Sequence, residues 1–225
     1  MDLAVSEKPL LYLPGEYDIC AAVAGLVDED HLIKGSGIKA GDRLIGLPSS
    51  GLHTNGYSLA RKALLERGGF RLEQYLDELG APLGEVLLLP HKNYVPAVFP
   101  LLQDEQSFRS IRGIAHITGG GLKDNLARIL PAGLGAKIQK SSWQPPPIFA
   151  LLQKCGNIPE QDPAGRGMFE TFNMGIGMVI IADSLKAASL MERLRLSGEE
   201  PLFIGEVIDL PEADILARER VLIKT

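Results

Sequence analysis

Two segments of the 225-residue chain carry the same polar side chains on the same plan. Each runs from a short apolar stretch, through a histidine with small polar residues and glycines, into a stretch of helical period. The first is "LIGLPSSGLHTNGYSLARKAL", around His53. The second is "IRGIAHITGGGLKDNLARIL", around His116. Glycines let backbone N–H groups converge, and the first turn of the following helix leaves its N–H groups unpaired and partly positive. The combination suits an anion such as a phosphate. Ser49, Ser50, Thr54 and Thr118 can add hydroxyl donors. A neutral imidazole near pH 7 can donate, accept or shuttle a proton, which makes His53 and His116 the candidate catalytic residues.

Each feature also has a plainer reading. His116 closes an apolar run and could be a half-buried strand residue. Thr118, Gly119, Gly120 and Gly121 could be a tight turn that lets the helix pack close to a sheet. Asn55 is either a helix N-cap or a ligand-facing amide, and one geometry can serve both. In "FNMGIGM", Asn173 and two glycines open a buried run, which fits either a bend or close backbone approach to a ligand. Asp18 reads as a turn residue, and His31 and His91 as solvated loop residues. Neither segment matches the dinucleotide fingerprint or the P-loop. The spacing shows no metal-ligand cluster and no nucleophile–base pair.

The elements that must position these loops follow from apolar periodicity. Strands are expected at Ile19–Val27, Arg43–Leu47 (closed by Pro48), Ile111–Ile117, Leu134–Gln139, Gly175–Ala182, Leu202–Asp209 and, at an edge, Val221–Lys224. Helices are expected from Asn55 to the Gly68-Gly69 pair, over Lys92–Leu102, Leu122–Leu130 and Ile148–Lys154, and over Ser184–Leu196 with Gly198 as its stop. Pro82–Pro90 and Asn157–Gly167 read as loops. Pro147 suits a first helical turn, where its missing N–H has no partner to lose. Alternating strands and helices imply an α/β (α+β) sandwich, a mixed β-sheet covered by helices.

The bulk composition is that of a globular domain, 45% hydrophobic and 23% charged. A net charge of −5 argues against a nucleic-acid-coating surface. No apolar run approaches the roughly 20 residues of a membrane helix. The N-terminus lacks the basic and apolar regions of an export signal. Cys20 and Cys155, the only two cysteines, form neither a metal-spaced set nor a disulfide framework. A cytoplasmic protein binding neither membrane nor nucleic acid is the expectation.

Four stretches, in order, resemble one family: "PGEYDICAAVAGLV", "GLPSSGLHTNGYSLARKAL", "IAHITGGGLKDNLARILP" and "FETFNMGIGMVI". They look like the C-terminal domain of phosphoribosylformylglycinamidine cyclo-ligase, the aminoimidazole ribonucleotide synthetase of purine biosynthesis. "SSWQPPPIFALLQKCGNI" is similar to that family's tryptophan-and-proline segment. The resemblance implies residues 14–225 as that domain and residues 1–13 as a remnant of an interdomain segment, with the N-terminal ATP-binding domain absent. It implies ATP and magnesium as cofactors, held mostly by that other half, and formylglycinamidine ribonucleotide as the phosphorylated substrate. It sets His53, Thr54 and Asn55 on the family's His-Ser-Asn loop, and His116 with Thr118–Gly121 on its glycine-rich segment.

The chain departs from the family in two places. Of the family's "GGETAEMPG" only Glu7 and Pro9 are matched, with Ala4 where the first Glu would stand. Pro90-His91-Lys92 replaces its Pro-Thr-Arg/Lys pattern. Three readings follow from the resemblance: the C-terminal half of a cyclo-ligase, inactive alone; a non-catalytic metabolite-binding or interaction domain; and a related ATP-dependent enzyme with another substrate. Candidate partners are a separate ATP-binding half and a second copy in a homodimer. The apolar stretch Leu3–Leu13, with Leu10, Leu11 and Tyr12, is expected to form part of the surface facing that other half.

Overall fold

In the computed structural model, residues 22–162, 164–210 and 216–224 are described. The expectations placed on residues 1–21 lie outside them: the interdomain remnant, the Leu3–Leu13 surface, Asp18 and Cys20. The chain divides into two units at Leu32/Ile33. Within the first, the described residues form one 3-10 turn, Glu29–His31, and otherwise no regular structure. The strand expected over Ile19–Val27 is therefore not found in its described part. Val23 and Leu26 are fully exposed, and an Ala/Val-rich run becomes a strand only where it finds an edge to pair with.

The second unit is built on a six-stranded sheet. Its strands are β1 (Arg43–Pro48), β4 (Ile111–His116), β5 (Leu134–Gln139), β6 (Ile176–Ala182), β7 (Leu202–Asp209) and β8 (Val221–Lys224), in the spatial order β4-β6-β1-β7-β5-β8. Neighbours are antiparallel except β5 and β8, so the sheet is mixed. A separate two-stranded ribbon pairs β2 (Tyr75–Leu76) with β3 (Ala81–Pro82).

Successive residues on a strand point to opposite faces, and both faces are buried. Leu44, Val179, Ile181, Ile138 and Ile204 face a large core. It is closed by α1 (Tyr57–Arg61, running on as a π-helical turn through Arg67), α5 (Gly121–Ala127) and α6 (Pro147–Gly156). Ile45, Leu47, Ile180 and Ala182 face a second core under α3 (Val95–Gln103) and α8 (Ala187–Leu196). The result is an α/β/α sandwich, and two-sided burial explains why β1 and β6 read as unbroken apolar runs.

Terminators work as the residue types dictate. Gly198 follows α8 in the left-handed region (φ 85°), and Asn157 caps α6 the same way (φ 47°). One element is new relative to the sequence reading. The stretch read as a loop between Pro82 and Pro90 contains a helix, α2 (Leu83–Leu87), which buries Leu83 and Leu87. Two short helices, α4 (Glu105–Phe108) and α7 (Met168–Thr171), also join the larger elements.

Topology decides where the polar loops go. β1 and β4 both pair antiparallel with β6, with Ile45 opposite Ile180 and Ala115 opposite Val179. They therefore run in the same direction on either side of β6. The loop after Pro48, the loop after His116 and the segment that leads into Ile176 all emerge at one end of the sheet.

Candidate functional site

The loop Ser49–Gly56 is cross-braced from below by Asn173, which is buried. The Asn173 amide donates to Gly51 O (2.8 Å), and its Oδ1 accepts from the Gly175 N–H (2.8 Å) and the Ser49 hydroxyl (3.1 Å). Ser49 N–H donates to Gly175 O at 2.9 Å. The Ser50 hydroxyl ties the loop sideways to Pro90 O (2.6 Å), and the Tyr94 hydroxyl donates to Pro48 O (2.9 Å). Both polar atoms of the Asn173 side chain are engaged in this brace. Asn173 and Ser49, both expected to meet a ligand, make these hydrogen bonds to the loop and to each other.

This brace holds His53 in an unusual place. Its φ is 60°, left-handed for a residue with a Cβ, and its ring is 3% exposed. His53 Nε2 accepts from the Ser50 N–H (3.2 Å), which leaves the ring proton on Nδ1, and Nδ1 has no hydrogen-bond partner. Burial, followed by the neighbouring His91, His116 and Lys92, lowers its pKa from 6.5 to about 4. At neutral pH His53 is an uncharged imidazole.

His91, expected to be a solvated loop residue, belongs to this site. Its ring stacks on His53 with centroids 3.9 Å apart and planes 25° from parallel. Its Nε2 lies 3.0 Å from His116 Nε2, and its Nδ1 lies 3.5 Å from Thr54 Oγ1. Three loops that are far apart in sequence thus bring three histidines together. One ligand-capable atom from each lies within 4.8 Å of the others. Sequence spacing could not show this, because the loops meet only once the sheet has formed.

His116 ends β4 opposite Met178 and is solvent-exposed. Its pKa is also lowered, by burial of part of the ring and by His91. The Thr118–Gly121 segment that follows is organised by Asn125 of α5, a residue that sequence reasoning did not single out. The Asn125 amide donates to Gly121 O (2.7 Å), Thr118 O (3.2 Å) and Gly119 O (3.3 Å), and its Oδ1 accepts from the Thr118 hydroxyl (3.2 Å). A polar residue four places into a helix that begins at a glycine turn is the signal that could have found it.

The three glycines divide by role. Gly121 has φ 60°, donates its N–H to Thr118 O, and would place a Cβ 2.1 Å from Phe169 O. It is there so that α5 can approach the 169–172 backbone. Gly120 (φ 94°) makes the turn. Gly119 is exposed, and a Cβ there would lie 3.6 Å from the Asn55 Oδ1, which shows how closely the two loops approach. Thr54, Asn55, His116, Thr118 and Gly119 form the accessible rim, with Ser50 beside them.

A cavity of about 380 Å³ opens beside this rim, lined by His91, Lys92, Tyr94, Phe99, His116 and Met178 among others. Lys92 is held by Glu199 at 2.7 Å, and Glu199 is itself delivered by the turn that closes α8. Among the described residues, the only group of three or more metal-capable side chains is this histidine set. Magnesium takes oxygen ligands in near-octahedral array, and three imidazoles do not supply one. No helix among the described residues is long and apolar enough to cross a membrane.

A mixed sheet between two helical layers defines a fold class, and the comparisons agree on it. The chain belongs to the family described as AIR synthase related protein, C-terminal domain, which matches residues 39–216. It is 48% identical over 202 residues to the phosphoribosylformylglycinamidine cyclo-ligase of Syntrophotalea carbinolica, covering 90% of this chain and 55% of that protein. It is 44% identical over 203 residues to the enzyme of the same name from Alkaliphilus metalliredigens, covering 90% and 56%. The chain spans about half the length of these curated relatives. Among solved structures, thiamine-monophosphate kinase from Stenotrophomonas maltophilia shares the fold at a TM-score of 0.50 and 15% identity, covering 84% of this chain and 52% of that one.

Proposed function

We propose that this chain is the C-terminal half of a phosphoribosylformylglycinamidine cyclo-ligase, supplying the substrate-presenting side of the site and inactive without an ATP-binding half. One observation carries the reading. In a chain 48% identical to such an enzyme, the His53 and His116 loops converge at the same end of the sheet, where Thr54, His116 and Gly119 are exposed.

The reaction joins an amidine nitrogen to a formyl carbon, and an amide oxygen is a poor leaving group. ATP would supply the phosphoryl group that turns that oxygen into a good one. The work assigned to this chain is positioning. The Thr54 hydroxyl, the Asn55 amide and the Gly119 backbone offer hydrogen bonds to the anionic part of the substrate, on loops that the Ser50 and Thr118 hydroxyls hold in place through Pro90 O and Asn125 Oδ1. Exposed His116 accepts or returns a proton at the reacting region. His53, uncharged and buried, is a neutral support that fixes the loop through the Ser50 N–H. The three imidazoles do not suit magnesium, and that ion is assigned to the other half. A cytoplasmic location accords with this metabolic role.

The binding-only reading rests on the Pro90-His91-Lys92 stretch, where His91 occupies space between the two candidate catalytic histidines. The test is to mix the chain with the separately expressed N-terminal half of the Syntrophotalea carbinolica relative and follow ATP-dependent ring closure. Turnover in the mixture and in neither half alone is expected. Stable association without turnover would leave the chain a binding domain.

A further inference from the structure

We propose that His53, His91 and His116 form a three-histidine site for a zinc-class divalent transition-metal ion, open on its fourth side to the adjoining cavity. The ion is distinct from magnesium, and the inference does not depend on the cyclo-ligase reading.

The donor set is the first argument. One nitrogen from each ring lies within 4.8 Å of the others, and the His91 and His116 Nε2 atoms are 3.0 Å apart. Two nitrogens bound tetrahedrally at zinc–nitrogen distances of about 2.0–2.1 Å stand about 3.3 Å apart. The His91–His116 pair already matches that spacing, and the third nitrogen needs to close by at most about 1.5 Å. Imidazole nitrogen suits zinc, copper, nickel and cobalt and is a poor ligand for magnesium or calcium.

The second argument is what surrounds the rings. His53 is 3% exposed, and its Nδ1 has no partner. A buried polar atom left without a partner costs about 1–3 kcal/mol. With the proton moved to Nε2 and the long Ser50 bond released, Nδ1 becomes a ligand; alternatively, Nε2 serves directly in place of that bond. His91 offers its Nε2 toward His116, while its Nδ1 faces Thr54 Oγ1 at 3.5 Å. That outward bond is the kind of second contact that orients a ligating histidine.

The third argument is access. His116 is exposed and His91 half-exposed, and both line the cavity of about 380 Å³. An ion can enter from there and keep one position for water or a ligand atom. Once bound, it would pin the loop after β1, the segment before α3 and the end of β4 to one another. It would also occupy the two histidines on which the proposed reaction relies, so the ion would act as an inhibitor of substrate binding.

The chain has four histidines, which makes the test clean. Untagged, metal-stripped protein is titrated with zinc against a chromophoric chelator, and with cobalt while its visible absorption is followed. One equivalent of zinc should bind at low micromolar concentration or tighter, with the intense visible bands of four-coordinate cobalt. His91→Ala, a half-exposed position whose loss leaves the core intact, should weaken binding by more than the roughly 10–100-fold that loss of an outer-shell partner costs. His31→Ala should leave it unchanged. Binding that survives His91→Ala, or no stoichiometric binding at 100-fold excess of protein over contaminating metal, overturns the site. Zinc binding by the chain, with no ring closure when the mixed-halves assay is run on the zinc-free chain, removes the cyclo-ligase reading and keeps the metal; ring closure without zinc binding does the reverse.

Discussion

The loops after β1 and after β4 share one sequence plan and reach the same end of the sheet, yet they are built in opposite ways. The first is held by side chains from elsewhere: Asn173 and Tyr94 brace it, and its own Ser50 is anchored to Pro90 O. Its histidine is buried at a left-handed φ. The second is held by its own helix, through Asn125, by a turn at Gly120 and by Gly121, which allows a close backbone approach, and its histidine is exposed. One histidine is thus fixed and kept neutral by the fold, while the other is exposed, with its Nε2 shared with His91. Similar residues on a similar plan do not imply similar jobs; which neighbours satisfy the backbone decides that.

The largest expected effect separates two glycines of the second loop. Gly121→Ala would force a Cβ to 2.1 Å from Phe169 O at φ 60°. It should cost about 3 kcal/mol or more, or prevent folding. Gly119→Ala meets only Asn55 Oδ1 at 3.6 Å, and its denaturation midpoint should stay close to that of the parent. Equal losses in the two variants would mean that the loop has no structural and presenting halves.

The next effect separates the histidines by pH. The unfolded chain protonates His53 near 6.5, but the folded one does so near 4. Above pH 6.5 both states are neutral and the metal-free protein has its full stability. As pH falls from 6.5 to 4 the unfolded state takes up the proton first, and stability drops by up to about 3 kcal/mol. His53→Asn, which tolerates the left-handed backbone, should flatten that slope in urea denaturation followed across pH. His116→Asn should leave most of it, since the His116 ring is exposed. A slope unchanged by His53→Asn would place the titrating group elsewhere.

A smaller contrast concerns the two braces. Asn173→Ala and Asn125→Ala each strip a buried amide from several partners and should each cost about 2–3 kcal/mol. Their local readouts should differ. Asn173→Ala should shift the imidazole resonances of His53 in NMR spectra, whereas Asn125→Ala should move those of His116 and leave His53 in place. The same pattern from both variants would show one coupled loop system instead of two.

Much of the framework was legible because its signals are local. β5, β7 and β8 lie at the residues where apolar runs meet turn residues, and β1 extends the expected strand by Pro48 alone. Pro147 opens α6, and Gly198 follows α8. The family match reached the same sandwich by an independent route. What was not legible depends on contacts made across the fold. Ala22–Val27 has strand composition but no partner strand. Pro82–Pro90 reads as a loop, yet Leu83–Leu87 is a helix with Pro82 at its N-cap and two buried leucines. His91 carries no motif at all; only the meeting of three loops sets its ring against His53. The burial of Asn173 beneath the loop, where it braces Gly51 and Gly175, cannot be read from a strand-opening "FNMG".

The central claim is that the exposed rim of these two loops holds a phosphorylated ligand. Calorimetric titration of formylglycinamidine ribonucleotide into the zinc-free chain, and into His116→Ala, tests it most directly. A single saturable site in the parent, at or below millimolar ligand, that is lost or strongly weakened in His116→Ala is the predicted result. No heat at millimolar ligand, or the same isotherm in both proteins, would contradict it.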